Sequence, residues 1–289
     1  MLQKPHANSD RWFSVVNISF LSILGFIMLV PLLSVLASSL SSSKAVDTNQ
    51  VFLWPVDLTL DSWKQIIGMS DLWTSFYITL GSTVIGTFIC LFGTVLLAYA
   101  LSKKELKIGG FVMVAIVVTM VFKYPIIPYF LTVKGIGLYN SLWVLVIPHI
   151  VSAYNMIIMR TFFQQFPVEL EEAAKVEGCG YFRTLFNVVL PSSKAVLATI
   201  GLFYAVVLWN QFQHPLMFLQ NRALFPLQIK LREFITSSES LFVTAEVTNY
   251  SERTLRAATI IFAVLPILMV YPFIQKYFVK GAMLGAVKG

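Results

Sequence analysis

From Trp12 to Ser43 the chain carries no charged side chain. That run exceeds the roughly 7–15 residues of a signal-peptide core, so it reads as a retained membrane helix. A helix needs about 20 mainly apolar residues to cross a bilayer, and further runs of this kind follow. They are continuous rather than alternating, which excludes barrel strands, and only helices or closed barrels satisfy their backbone in lipid. The predicted fold class is an all-α integral membrane protein with six transmembrane helices, at 12–38, 75–101, 108–131, 138–160, 195–219 and 255–278. The expected organisation is a tail at 1–11, a six-span domain at 12–278 and a tail at 279–289. Lys123 interrupts the third run and is placed at its outer end, its ammonium reaching the interface.

Composition agrees. The chain is 57% hydrophobic and 12% charged, against about 25% charged in a soluble domain. The net charge of +7 is spread in short clusters between apolar runs, which fits a positive-inside bias and excludes a basic nucleic-acid face. With the N-terminus inside, 12 Lys and Arg fall in cytoplasmic segments and 9 in outer ones. Both termini and the loop at 161–194 are then cytoplasmic. The outer loop at 39–74 reads as folded surface, and that at 220–254 as partly helical. Cys90 and Cys179 are too few for a disulfide framework.

Several chemistries are missing. No Gly-rich loop ends in Lys-Ser or Lys-Thr, so the chain should not hydrolyse ATP. His6, His149 and His214 show no metal-ligand spacing, and no metal site, resident cofactor or catalytic residue is expected. The spans hold almost no carboxylate. Ion-coupled carriers place such costly groups inside the membrane because they work there. The energy for any transport must come from a partner.

Residues 167–191 read PVELEEAAKVEGCGYFRTLFNVVLP. Pro167 suits a first helical turn, and Glu169, Glu171 and Glu172 suit a helix N-terminus. Leu170, Ala173 and Ala174 share a shallow face. Gly178 is placed to end the helix in a left-handed cap. A second helix should start near Tyr181, with Phe182, Leu185, Phe186 and Val189 on one apolar stripe, and end at Pro191. The residues alone leave two readings open: a docking hairpin, or an amphipathic segment lying on the membrane.

This segment resembles the docking loop of binding-protein-dependent importers, whose pattern is Glu-Ala-Ala, three residues, Gly, nine residues, Ile, one residue, Leu-Pro. Glu172, Ala173, Ala174, Gly178, Leu190 and Pro191 match at that spacing, with Val188 in place of isoleucine. PVELEEAAKVEG is similar to the carbohydrate branch typified by the maltose importer, as its second permease. WNQF at 209–212 and the tail at 277–289 add to the likeness, and MFLQNRALFPLQIKLREF at 217–234 resembles the LplC/YtcP-like oligosaccharide permeases.

The resemblance implies an importer permease in the bacterial cytoplasmic membrane. Its hairpin would be the coupling helix seated in an ATPase cleft, and ATP and magnesium would bind on the ATPase. The implied partners are a second permease, two ATPase subunits, an extracytoplasmic solute-binding protein and an oligosaccharide cargo. Glu172 is expected to make the polar contact with the ATPase, with Glu171 second to it. Ala173 and Ala174 would pack in the cleft, and Gly178 would set the bend. Lys288 and Gly289 are candidates for a further ATPase contact. Asn155, Trp209, Asn210 and Gln211 are candidates for the solute path, with satisfied polar groups between helices as the equal alternative. A polyol or glycerol phosphate compound as cargo, or an ATP-independent carrier, are the competing functions.

Overall fold

The computed structural model describes residues 7–122, 124–236 and 251–286. Lys123, Lys288 and Gly289 lie outside the described residues. Among the described residues there is no strand; all regular structure is helical. The chain forms two compact units, one of residues 1–70 and 233–265 and the other of 71–232 and 266–289.

In the first unit, α1 (Ala7–Ser39) and α14 (Glu252–Ala286) are the long helices, and α14 continues into the second. The segment after α1 is folded by its own polar groups. Val56 N–H donates to Ser41 Oγ at 3.0 Å, and Thr59 N–H donates to Leu40 O at 3.0 Å. The short helices α2 (Ser43–Asp47) and α3 (Asp61–Gly68) complete it. Ser62 Oγ donates to Thr254 Oγ1 at 2.9 Å, and Arg253 Nη1 donates to Asn49 Oδ1 at 3.0 Å. The expected folded loop at 39–74 is therefore tied to the start of α14.

In the second unit, α4 (Ser70–Ser102) is apolar on all sides, as a helix surrounded by lipid and protein must be. Arg160 Nε donates to Leu101 O at 2.8 Å, satisfying one of the carbonyls that a helix end leaves free. The predicted run at 108–131 holds two helices, α5 (Gly109–Val121) and α6 (Ile126–Gly135). Pro125 lacks an N–H and pushes the preceding residue out of the helical region, which breaks the run there. The run at 138–160 opens as two 3-10 turns, Leu142–Leu145 and Ile147–His149. It then bends by 46° into α7 (Ala153–Gln164). The run at 195–219 is α11 (Lys194–Trp209), a short break, and α12 (Gln213–Phe218). In the loop at 220–254, α13 (Leu227–Thr236) is helical.

By length and composition three helices can cross a membrane, at Trp12–Ser39, Ser70–Ser102 and Glu252–Val270, and up to five when each bent pair counts as one span. Packing in the second unit is close. A methyl placed on Gly86 of α4 would come within 2.8 Å of Leu208 Cδ1 and 3.1 Å of Val146 Cγ2. Small residues allow such approach between helices in lipid. Thr94 Oγ1 and the Tyr204 hydroxyl lie 2.6 Å apart, and that hydroxyl accepts Ser152 N–H at 3.0 Å. One polar knot thus joins α4, α11 and the entry to α7.

Candidate docking hairpin and solute path

The segment 167–192 is a hairpin. Helix α8 (Val168–Val176) starts after Pro167 in an extended conformation (φ −56°, ψ 121°). It ends at Gly178, whose φ of 81° lies in the left-handed region that glycine enters without steric cost. Gly178 N–H reaches Lys175 O, and Cys179 N–H reaches Ala174 O, both at 2.9 Å, so the turn itself satisfies the last carbonyls of α8. Lys175 Nζ lies 5.6 Å from the Tyr181 ring centre across the turn.

The second arm differs from the expected single helix ending at Pro191. It comprises α9 (Tyr181–Thr184), a π turn at Leu185–Val189, and α10 (Leu190–Ser192). Pro191 cannot donate, and the wider π turn precedes it. The arm continues past Pro191 to Ser192 and meets α11 at 88°. The predicted apolar stripe is also divided. Leu185 and Val189 are buried in one core with Cys90, Val95 and Ala98 of α4, Met156 and Met159 of α7, and Ile200 and Tyr204 of α11. Phe182 and Phe186 remain exposed. Phe182 borders an apolar groove of about 390 Å³ that also touches Tyr99 and Leu106.

The two faces of α8 have separate roles. Ala174 is buried within the chain, and Glu171 is ion-paired with Lys103, which follows α4. Both side chains of that pair are mostly buried, at 13% and 16% exposed, and Lys103 Nζ sits 4.2 Å from the Tyr99 ring centre. Glu169, Glu172, Ala173 and Val176 fall at i, i+3, i+4 and i+7, and all are exposed. Val176 is 89% exposed; sequence reasoning passed over it, although its spacing from Glu172 and Ala173 placed it on their face. Leu190 is half-buried and Pro191 exposed. The outward face is a negative, shallow, partly apolar strip; the inward face pairs with Lys103, while Leu185 and Val189 of the second arm fasten the hairpin to α4, α7 and α11.

The solute-path candidates fall on two elements, α7 and the end of α11 with the residues after it. Asn155 is buried in the first turn of α7, which Ser152 caps. Trp209 ends α11, and Asn210 and Gln211 open the break after it. Asn210 Nδ2 donates to Val206 O at 2.9 Å, closing the helix end, and Gln211 Nε2 donates to Leu145 O at 3.2 Å. Trp209 packs edge-to-face on Phe76, with ring centres 6.1 Å apart. Trp209 Nε1 and Gln211 Oε1 are buried with no partner among the described residues, and so is His149 Nδ1. Each such atom costs about 1–3 kcal/mol unless something else bonds to it. His149 and His214, distant in sequence, have ring centres 4.6 Å apart. Spacing along the chain gave no sign of that meeting; it depends on how the two broken runs fold. Among the described residues no three His, Cys, Asp or Glu side chains gather to hold a metal.

Helices long and apolar enough to cross a membrane, in a chain with no strand among the described residues, define an all-helical membrane protein. Residues 95–283 match the family described as binding-protein-dependent transport system inner membrane component, and the chain belongs to that family. It is a permease component of ATP-binding-cassette importers, in which the ATPase is a separate subunit. It is 37% identical to Protein LplC of Bacillus subtilis (strain 168), over 98% of this chain and 97% of the relative. It is 38% identical to the polygalacturonan/rhamnogalacturonan transport system permease protein YtcP of the same organism, over 97% and 99%. A chain of a bacterial ABC transporter involved in the import of the acidic polysaccharide alginate superposes with a TM-score of 0.86 at 31% identity, covering 96% of this chain and 99% of that one.

Proposed function

We propose that this subunit carries oligosaccharides across the bacterial cytoplasmic membrane, driven by an ATPase docked on the 168–192 hairpin. The carrying observation is the exposed strip Glu169–Glu172–Ala173–Val176 on a hairpin whose Glu172, Ala173, Ala174, Gly178, Leu190 and Pro191 match the docking pattern of the family. Glu172 offers the charged contact, while Glu171 is engaged by Lys103. The three long helices, the bent pair at 142–164, α11 and α5 amount to six apolar elements, which supports six spans and so both termini on one side of the membrane, the cytoplasmic side by the charge bias. The complete importer holds a second, similar permease, two ATPase subunits that bind ATP and magnesium, and an extracytoplasmic solute-binding protein. The polysaccharide cargoes of YtcP and of the alginate importer support an oligosaccharide, with uronate-bearing fragments the first to try.

The test is co-purification with an ATPase and uptake of oligogalacturonides by the reconstituted importer. Glu172→Lys reverses the charge of the docking strip, and Gly178→Pro forbids the positive φ. Both are expected to abolish uptake while the protein remains in the membrane. Normal ATP-dependent uptake by both variants would refute docking through the hairpin.

A further inference from the structure

Four rings line up where the broken runs at 108–131, 138–160 and 195–219 meet. Tyr124 stacks on Tyr129 with centres 4.2 Å apart. The Tyr129 hydroxyl is 3.1 Å from His214 Nε2, and His214 meets His149 edge-to-face at 4.6 Å. Phe218, fully buried, backs the row, 5.8 Å from Tyr129 and 6.1 Å from His214 between ring centres. The other side is open: Tyr124 is 61% exposed, and Tyr129, His149 and His214 are half-buried.

The row adjoins the break after α11. Gln211, three residues before His214, donates to Leu145, four residues before His149. The same short stretches therefore hold His149 Nδ1, Gln211 Oε1 and Trp209 Nε1, three of the buried polar atoms that lack partners among the described residues.

Imidazoles inside membrane spans are costly against lipid, face protein or water, and mark the routes of solutes and ions. This row has two imidazoles and no carboxylate, too few ligands for a metal site. It offers aromatic faces beside hydrogen-bonding N–H and O–H groups. That combination suits a ligand with apolar C–H faces and a rim of hydroxyls, held in a mainly aromatic surface with a few placed polar groups.

We propose that the row Tyr124–Tyr129–His214–His149 is a carbohydrate contact on the translocation route, an assignment that rests on the importer reading above. A sugar ring lies against the tyrosines. Its hydroxyls bond to the Tyr129–His214 pair and to His149 Nδ1, which is enclosed in this state and is reached when its ring turns toward the row; Gln211 Oε1 and Trp209 Nε1, enclosed likewise, stand at the next position inward.

The experiment uses the full importer in proteoliposomes with its solute-binding protein and radiolabelled trigalacturonate. It reads sugar molecules taken up per ATP hydrolysed. His149→Leu and Tyr129→Phe are each expected to lower this ratio about tenfold, the equivalent of one hydrogen bond. His149→Gln, which keeps a polar atom that can bond a hydroxyl, recovers a good part of it. A purely structural role lowers uptake and hydrolysis together and leaves the ratio unmoved; that result, or an unchanged ratio with uptake intact, overturns the proposal. If the wild-type importer hydrolyses ATP with its binding protein but takes up neither trigalacturonate nor a neutral trisaccharide, the carbohydrate reading itself fails and the row loses its ligand class. Uptake of the neutral sugar alone moves the same ratio measurement to that sugar, with the same outcomes deciding.

Discussion

Removing either partner of the Lys103–Glu171 pair should loosen the hairpin from the core. Two unit charges in contact near a protein surface attract by about 4 kcal/mol. Residual solvent exposure and the ordering of both side chains reduce this, so each of Lys103→Met and Glu171→Gln should cost roughly 3 kcal/mol of hairpin closure. Since about 1.4 kcal/mol is tenfold in an equilibrium constant, the opened hairpin becomes about a hundred times more populated. Trypsin reports this directly, because cleavage tracks the open population when closing is fast. Lys175 and Arg183 are exposed residues of the hairpin and supply the cleavage sites. Peptides released from purified permease should show cutting there accelerated about a hundredfold in both single variants. Swapping the charges restores the attraction but places a carboxylate over the Tyr99 ring, where Lys103 now sits at 4.2 Å. The lost cation–π contact is worth about 1 kcal/mol, so the swapped protein should still be cut several times faster than wild type. If the single variants are cut at the wild-type rate, or the swap is no better than either, the pair does not hold the hairpin.

Gly86→Val should lower the temperature at which the purified complex aggregates, since overpacking a tight contact costs about 1–3 kcal/mol and Leu208 is fully buried. Gly81→Val on the same helix meets nothing within 4 Å and should leave that temperature unchanged; equal losses from both would locate the cost in helix propensity instead. Gly178→Ala also meets nothing within 4 Å, so its cost is the positive φ alone, about 1–2 kcal/mol. Uptake should fall in the order glycine, asparagine, alanine at position 178, and an alanine variant equal to wild type would show that the left-handed turn is dispensable.

The helical class, the long apolar runs and the hairpin boundary at Gly178 were legible in the chain because each depends on local chemistry. Lipid demands uninterrupted apolar length, and a left-handed turn demands glycine. The breaks within the runs were less legible, although Pro125 and Pro148 stand near two of them. A proline reports a lost hydrogen bond but not how neighbouring helices absorb it. At Pro191 a π turn absorbed it and the arm continued. Spacing put Glu171 and Glu172 side by side as candidates, and only Lys103, arriving from the end of α4, separated a fastened carboxylate from an exposed one. The alanines were divided in the same way, with Ala174 taken into the core and Ala173 left outside. His149 and His214 show the limit most plainly. Each lies in a different run, and their distance along the chain carries no information about their distance in space. Folding of the 3-10 turns against the break after α11 brought the rings together, because long-range packing, unlike helix formation, is decided by the surfaces that meet.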